Sequence, residues 1–210
     1  MKAMNRALFY LSFLNSHFLF PSYLCRMTIH DETIEKVRAL DSATRYEACR
    51  FRNCDLSYAN LTSISFIDCV FEQCNLSLAI TADTALQDVV FKDCKLTGLD
   101  FSKCRSLAFG VSFMHCNMES TSFHKCKLKG TDFVSCILKG TDFAACDLTN
   151  ANFDNCDLDS AIFDQTNLKG ADFRTAYNFV INPEQNSLKQ AKFSIYGLPG
   201  LLAQCGIIIE

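Results

Sequence analysis

Large apolar side chains recur at every fifth position along most of this chain. One register holds without a miss through thirteen positions: Phe113, Met118, Phe123, Leu128, Phe133, Leu138, Phe143, Leu148, Phe153, Leu158, Phe163, Leu168 and Phe173. A helix repeats every 3.6 residues and a strand every two, so neither produces this period. The same register runs upstream to Tyr46, less cleanly between residues 81 and 101. The pattern therefore indicates a short internal repeat.

A small side chain stands two residues before each of these large ones, as in Thr131 before Phe133 and Cys136 before Leu138. Such a unit, with one large and one small residue facing inward, predicts a chain that turns a corner every five residues and closes a square coil in four units. Residues 20 apart then stack, which places Phe113, Phe133, Phe153 and Phe173 in one column and Phe123, Phe143 and Phe163 in a second. Where Phe fills the interior its small partner is mostly Thr or Ala, and where Leu or Met does the partner is usually Cys. This pairing keeps the core volume constant around the square.

Cysteine fills the small inward position repeatedly. Of the 13 cysteines only Cys25 and Cys205 lie elsewhere. Zinc sites bring cysteines together as pairs two to four residues apart, and these cysteines are spaced by five or ten. A disulfide between stacked cysteines such as Cys116 and Cys136 would need converging Cβ vectors, whereas stacking makes them parallel. We therefore expect free, buried thiols that act as small apolar side chains.

Units such as CDLTN, ANFDN, CDLDS and ADFRT, within residues 146–175, closely resemble the pentapeptide-repeat family. The resemblance spans about residues 44–178 and is closest in character to the quinolone-resistance branch, whose members mimic DNA. It implies an all-β solenoid, a right-handed quadrilateral β-helix of about seven coils. Each coil buries its faces only against its neighbours, so the two ends need caps.

The segments flanking the array predict the domain organisation. Residues 1–26 are an atypical extension: a mis-called start, a tail or a weakly signal-like segment. Residues 27–43 predict an N-terminal cap or degenerate coil, with a short helix from Asp31 as the alternative. Residues 179–210 predict a C-terminal cap with a short helix. The resemblance implies that this segment can also dimerise, and the candidate residues for capping or dimerisation are Leu198, Leu201, Leu202, Ile207, Ile208 and Ile209.

Composition and motifs argue against catalysis and against direct nucleic-acid binding. The net charge is -3, too acidic for binding duplex phosphates by bulk charge. The chain has no nucleophile elbow, phosphate-binding glycine loop or H-E-x-x-H motif. We therefore expect no enzyme activity, cofactor, metal or small-molecule substrate. The predicted location is the cytoplasm and the predicted partner is a protein.

Charge is uneven along the predicted rod. From residue 132 to 172, eight acids face two lysines, a net of -6, whereas residues 92–129 hold seven bases and three acids, a net of +4. An acidic rod about as wide as duplex DNA can occupy a DNA-binding groove, and the resembling family includes proteins that act this way on type II topoisomerases. The candidate partner-binding acidic face comprises Asp132, Asp142, Asp147, Asp154, Asp157, Asp159, Asp164 and Asp172.

The resemblance thus implies a modulator or protector of DNA gyrase or topoisomerase IV that gives quinolone or toxin tolerance and can form a homodimer through its C-terminus. Two alternatives stay open at this point. One is a scaffold for an unrelated protein partner. The other is a structural protein associated with the cell envelope through residues 1–26.

The register breaks once clearly. Phe101 and Phe113 are twelve residues apart, two more than the period allows, so RSLAFGV at residues 105–111 is predicted to loop or bulge. Arg105 and Phe109 are the candidate binding residues of this loop, and Phe109 is also a candidate for the core. In the quinolone-resistance branch, longer loops that leave the β-helix contribute to protecting gyrase. A tolerated bulge at a coil corner is the alternative.

Overall fold

The structure is a computed structural model that describes residues 27–42 and 44–207. The predictions for residues 1–26, Ile208 and Ile209 lie outside the described residues. The strands are β1 (Thr28–His30), β2 (Thr33–Glu35), β3 (Arg45–Glu47), β4 (Arg50–Arg52), β5 (Ser65–Ile67), β6 (Val70–Glu72), β7 (Ala85–Gln87), β8 (Val89–Lys92), β9 (Val111–Met114), β10 (Asp132–Val134), β11 (Asn152–Asp154), β12 (Asp172–Phe173) and β13 (Lys192–Phe193). Short 3₁₀ helices lie at Phe101–Lys103 and Ile195–Gly197, and the helix α1 is Leu198–Leu202.

The strands and bridges stack in parallel into a four-sided β-solenoid, as predicted. Side 1 is a nine-stranded sheet in the order β13-β12-β11-β10-β9-β8-β6-β4-β2. Side 2 is the ladder that includes Asn117, Ile137, Asp157 and Tyr177, and side 3 is the ladder of Asp100, Ser122, Asp142 and Ile162. Side 4 begins with the sheet β1-β3-β5-β7 and continues as the ladder of Lys127, Asp147, Asn167 and Ser187.

A left-handed residue makes each corner. The second residue after nearly every large inward side chain has a positive φ, for example 51° at Ser135, 56° at Ala145 and 57° at Asn150. Such a conformation costs a non-glycine residue about 1 kcal/mol or more. The corner amide offsets this by donating to the next coil, as Ala145 N–H does to the Asp164 carbonyl at 2.8 Å. Gly170 adopts this conformation at its corner without strain, with φ 68°, and a Cβ there would lie 2.2 Å from Asn150 Oδ1, so a larger residue would displace the Asn150 side chain.

The interior consists of the predicted aromatic columns. On side 1, Phe133 stacks on Phe113 at 5.2 Å and on Phe153 at 5.0 Å between ring centroids. On side 3, Phe143 lies between Phe123 and Phe163, at 5.5 and 5.3 Å. Rings on different sides meet edge to face, which is a favourable geometry for aromatic pairs. Core volume and ring geometry therefore repeat together from coil to coil.

The solenoid extends further in both directions than the repeat pattern indicated. At the N-terminus, β1 and β2 are strands that pair with β3 and β4, so residues 28–35 continue the coil and do not form a helix. At the C-terminus, β13 pairs with β12 and Phe193 stacks on Phe173 at 5.2 Å, so the coil continues past residue 178. These additions give about eight turns where the sequence indicated about seven.

We predict that Phe143→Ala destabilises the protein by about 3–5 kcal/mol, because the removed ring is fully buried and stacked on both faces. Urea unfolding would measure the loss. The matched control is Ile162→Ala, an outward residue in the next coil that is 49% exposed, with an expected change within about 0.5 kcal/mol. Equal losses in the two variants would contradict the stacked-column account of stability.

Candidate functional site

The eight predicted acidic residues lie on all four sides of the rod. Consecutive five-residue units occupy consecutive sides, so acids that are close in sequence point in different directions. Side 1 carries Asp132, Asp154 and Asp172, side 2 Asp157 and Asp159, side 3 Asp142 and Asp164, and side 4 Asp147. The structure therefore places these carboxylates around the axis of the rod and does not bring them together on one face.

Several of these carboxylates are bound by the coil itself. Asp147 Oδ1 accepts hydrogen bonds from Thr149 N–H at 3.1 Å and from Asn167 Nδ2 at 3.0 Å. Asp157 is buried and accepts from Asn178 Nδ2 at 2.8 Å, with Lys139 Nζ at 3.3 Å. An aspartate that binds the amide two residues ahead stabilises the local turn. These side chains therefore contribute to the fold as well as to the surface charge.

Asp172 is the most strongly perturbed of these carboxylates. The Arg174 guanidinium donates to it, with Nη2 2.7 Å from Oδ2, and Lys192 Nζ lies 3.5 Å away. Chiefly through the bond from Arg174, these cations lower the pKa of Asp172 from 3.8 to about 2. The carboxylate is thus ionised at neutral pH, and its charge is offset by its neighbours.

Asp132, Asp159 and Asp164 are the exposed members of the set. They lie on sides 1, 2 and 3, one on each side. A partner could contact all three carboxylates only by surrounding much of the rod. The accessible acidic surface is therefore distributed around the rod and is not a flat patch.

The predicted loop is present, but the rod holds both of its candidate residues. Arg105 Nε and Nη2 each lie 2.7 Å from a carboxylate oxygen of Asp83. Phe109 packs edge to face on Phe101, with centroids 6.4 Å apart. The large apolar side chain that the loop presents to solvent is Leu107, which is 88% exposed. Leu107 lies between Arg105 and Phe109 and off the five-residue register, which is the only sequence signal that could have identified it.

The C-terminal segment covers the end of the rod. Glycines at 197 and 200 let the chain approach Phe179 closely, since a Cβ at Gly200 would lie 2.1 Å from the Phe179 carbonyl oxygen. Among the predicted residues, Leu201 packs on the core, Leu202 is half-buried, and Leu198 and Ile207 are 45% and 54% exposed. The largest apolar exposure is at two residues that the sequence analysis missed, Ile195 at 74% and Tyr196 at 88%.

Every described cysteine is a free thiol, and all but three of them are buried: Cys104 and Cys126 are half-buried and Cys205 is exposed. Burial raises the pKa of Cys146 to about 12, so its thiol stays protonated at neutral pH. Within residues 27–42 and 44–207, no cluster of three or more potential metal ligands is present. The same residues contain no helix long and apolar enough to cross a membrane.

Comparison with solved structures finds the same architecture. Full-length QnrB1, a plasmid-mediated fluoroquinolone resistance protein, is 17% identical and superposes with a TM-score of 0.53 over 86% of this chain and 100% of its own. A trypsin-treated variant of QnrB1 gives 17% identity and a TM-score of 0.51, over 88% of this chain and 99% of its own. At this identity the likeness establishes the fold.

A more distant match is HetL, a pentapeptide repeat protein involved in heterocyst differentiation regulation from the cyanobacterium Nostoc sp. It is 17% identical, with a TM-score of 0.28 over 82% of this chain and 88% of its own. No curated protein matches the sequence. The family model for the pentapeptide repeat region matches residues 44–109 and 106–177, so the chain belongs to the pentapeptide-repeat family.

Proposed function

We propose that this protein is a non-enzymatic, cytoplasmic rod that modulates or protects a type II topoisomerase, DNA gyrase or topoisomerase IV, by presenting a DNA-like surface. The observation that carries the proposal is the distribution of carboxylates around the rod axis. Residues 132–172 span two coil steps, about 10 Å of rod at the usual strand spacing. Asp172 is offset by Arg174 and Lys192, and the other seven acids and two lysines have a net charge of -5, or one negative charge per about 2 Å. Duplex DNA carries one per about 1.7 Å.

The fold supports the same proposal. This chain spans the full length of QnrB1, which is described as a fluoroquinolone resistance protein. The two proteins share the rod architecture, and this chain carries outward carboxylates that a DNA-binding groove could contact. Leu107, on the loop, supplies one exposed apolar contact at the side of the rod. A protein partner could use it as an anchor next to the charged surface.

The test is gyrase supercoiling and drug-stabilised DNA cleavage with increasing amounts of the full chain, with and without a fluoroquinolone. We expect inhibition of supercoiling, or rescue from the drug, at or below stoichiometric amounts of the protein. Replacing the exposed acids by Asp132→Asn, Asp159→Asn and Asp164→Asn should weaken this effect at least tenfold, because three charges are removed from the DNA-like segment while the fold is left intact.

The matched control removes three exposed acids outside that segment, Glu32→Gln, Glu35→Gln and Glu184→Gln. This variant has the same net charge and should act like the unaltered chain. No effect of the unaltered chain on either topoisomerase would overturn the proposal and favour a scaffold with another partner. Equal weakening in both variants would mean that the effect depends on the net charge of the protein and not on the acids of residues 132–172.

We also propose that the protein forms a homodimer through its C-terminal end. Ile195 and Tyr196 are exposed directly before α1, and Leu198 and Ile207 are further exposed apolar side chains of the same C-terminal segment. Several exposed apolar side chains in the segment that covers one end of a rod suit association with a second copy.

Ile195→Ser with Tyr196→Ser should convert the dimer into a folded monomer, since neither side chain is buried in the core. Light scattering would measure the mass. Tyr58→Ser, which alters a 72% exposed tyrosine near the other end of the rod, is the control and should stay dimeric. A monomeric unaltered chain would contradict the dimer proposal.

A further inference from the structure

Four exposed lysines project from one half of side 4. Lys127 and Lys129 flank the inward Leu128, and the corresponding outward positions of later coils hold Lys169 and Lys189. The bridge ladder Lys127, Asp147, Asn167 and Ser187 sets these coils one above another. Four lysines and one carboxylate, Asp147, give this half-side a net charge of +3. It is a basic strip on an otherwise acidic protein, and we call it the lysine strip.

The lysine strip is not neutralised by the rod. Among the residues that the structure describes, none of its four ammonium groups has a carboxylate oxygen within 4.0 Å. By contrast, several bases on sides 1 and 2 are paired across coils, as Arg52 is with Glu72 and Lys139 with Asp157. The one acid of the strip, Asp147, is already held by Thr149 and Asn167. The strip is therefore free to bind an anionic partner.

The composition of the strip favours one kind of anion. Its other outward positions are Thr149, Asn167 and Ser187, none of which is aromatic, methionine or arginine. One aromatic side chain, Phe109, borders the strip at one end, in the cleft that Lys127 and Lys129 line. Protein interfaces are enriched in aromatic, methionine and arginine side chains and depleted in lysine. Single-stranded nucleic acid needs aromatic platforms for its bases, and a membrane surface needs an apolar face beside the basic one. Lysine ammonium groups among small polar residues suit the phosphodiester groups of duplex DNA, which lysines contact without reading the base sequence.

We propose that the lysine strip binds the sugar-phosphate backbone of duplex DNA without sequence preference. The net charge of -3 does not prevent this, because the acids of side 2 lie across the core from the strip. The acids of sides 1 and 3 adjoin side 4 and lower the affinity, but they do not lie within the strip, whose own net charge is +3. Facing sheets are about 10 Å apart at their backbones, and their outward charges are further apart than that. The Debye length at 0.1 M salt is also about 10 Å, so salt screens the far side from the bound phosphates. This inference stands independently of any action on a topoisomerase.

The test is fluorescence anisotropy of a labelled 20-base-pair duplex titrated with the full chain at 20 to 200 mM salt. With four phosphate contacts, the logarithm of the binding constant should fall against the logarithm of salt with a slope of about -3.6, or roughly 100-fold between 50 and 200 mM. A second duplex of unrelated sequence should bind equally well. No binding at 20 mM salt, or a strong sequence preference, would overturn the proposal.

Two variants with the same net charge show whether the strip is responsible. Lys127→Gln, Lys129→Gln, Lys169→Gln and Lys189→Gln together should abolish the binding. The control, Lys36→Gln, Lys92→Gln, Lys95→Gln and Lys103→Gln, removes four lysines outside the strip that also have no carboxylate oxygen within 4.0 Å among the described residues, and should retain the binding within about threefold. Equal loss in the two variants would overturn the proposal. Because all four strip lysines are exposed, urea unfolding of the strip variant should match that of the unaltered chain.

Two further probes test the other classes of anion. Labelled poly-glutamate stands for an acidic protein, and vesicles containing phosphatidylserine stand for an anionic membrane. Each is titrated with the full chain at the same charge concentration as the duplex. Weaker binding of both than of the duplex supports the proposal. Tighter binding of either one, lost in the strip variant, would assign the strip to that class and overturn the DNA assignment.

Discussion

The structure depends on a left-handed turn at every fifth residue. One such turn costs a side-chain-bearing residue free energy, and a coil contains four of them. The turn is tolerated because its amide donates to the coil above, as Ser135 N–H does to the Asp154 carbonyl at 2.8 Å. A coil alone would lack that acceptor. The corners therefore bind each coil to its neighbours, and the stability of the rod is a property of the stack.

Equal sides bring residues 20 apart into register, which explains why the core could be predicted from the sequence. Inward positions recur regardless of which side they occupy, so the period alone identifies Phe133 or Phe153 as buried. The direction of an outward side chain is different. It depends on the position of its unit within the coil, so Asp142 and Asp147, one unit apart, point to sides 3 and 4. Once the four-unit coil is accepted, these directions follow from counting.

Both ends of the array were harder to predict. Ile29 and Ile34 stack below Tyr46 and Phe51 at a separation of 17 residues, so this coil is three residues short and fails a search for a period of 20. At the other end the signal was present, because Phe193 is 20 residues after Phe173 and Leu188 is 20 after Leu168. The intervening units have no aspartate, and Ile181 and Asn186 stand at the small position in two of them; Asn186 donates to the Phe163 carbonyl at 2.9 Å. The exposed Leu107 and Tyr196 lie outside the register, where a periodic pattern carries no information.

The insertion at residues 105–110 lengthens one coil without shifting the buried residues of the coils on either side of it. Phe91 and Phe113 are separated by two extra residues and still stack at 5.4 Å, with their strands in register. The excess lies in one coil, over β7 on side 4, where contacts of Arg105 and Phe109 with the rod hold its two ends. Residues 106–108, which are exposed between these two contacts, can therefore be lengthened or replaced without changing a buried residue. This short stretch is a natural graft point at which new recognition elements can be acquired while the rod stays the same.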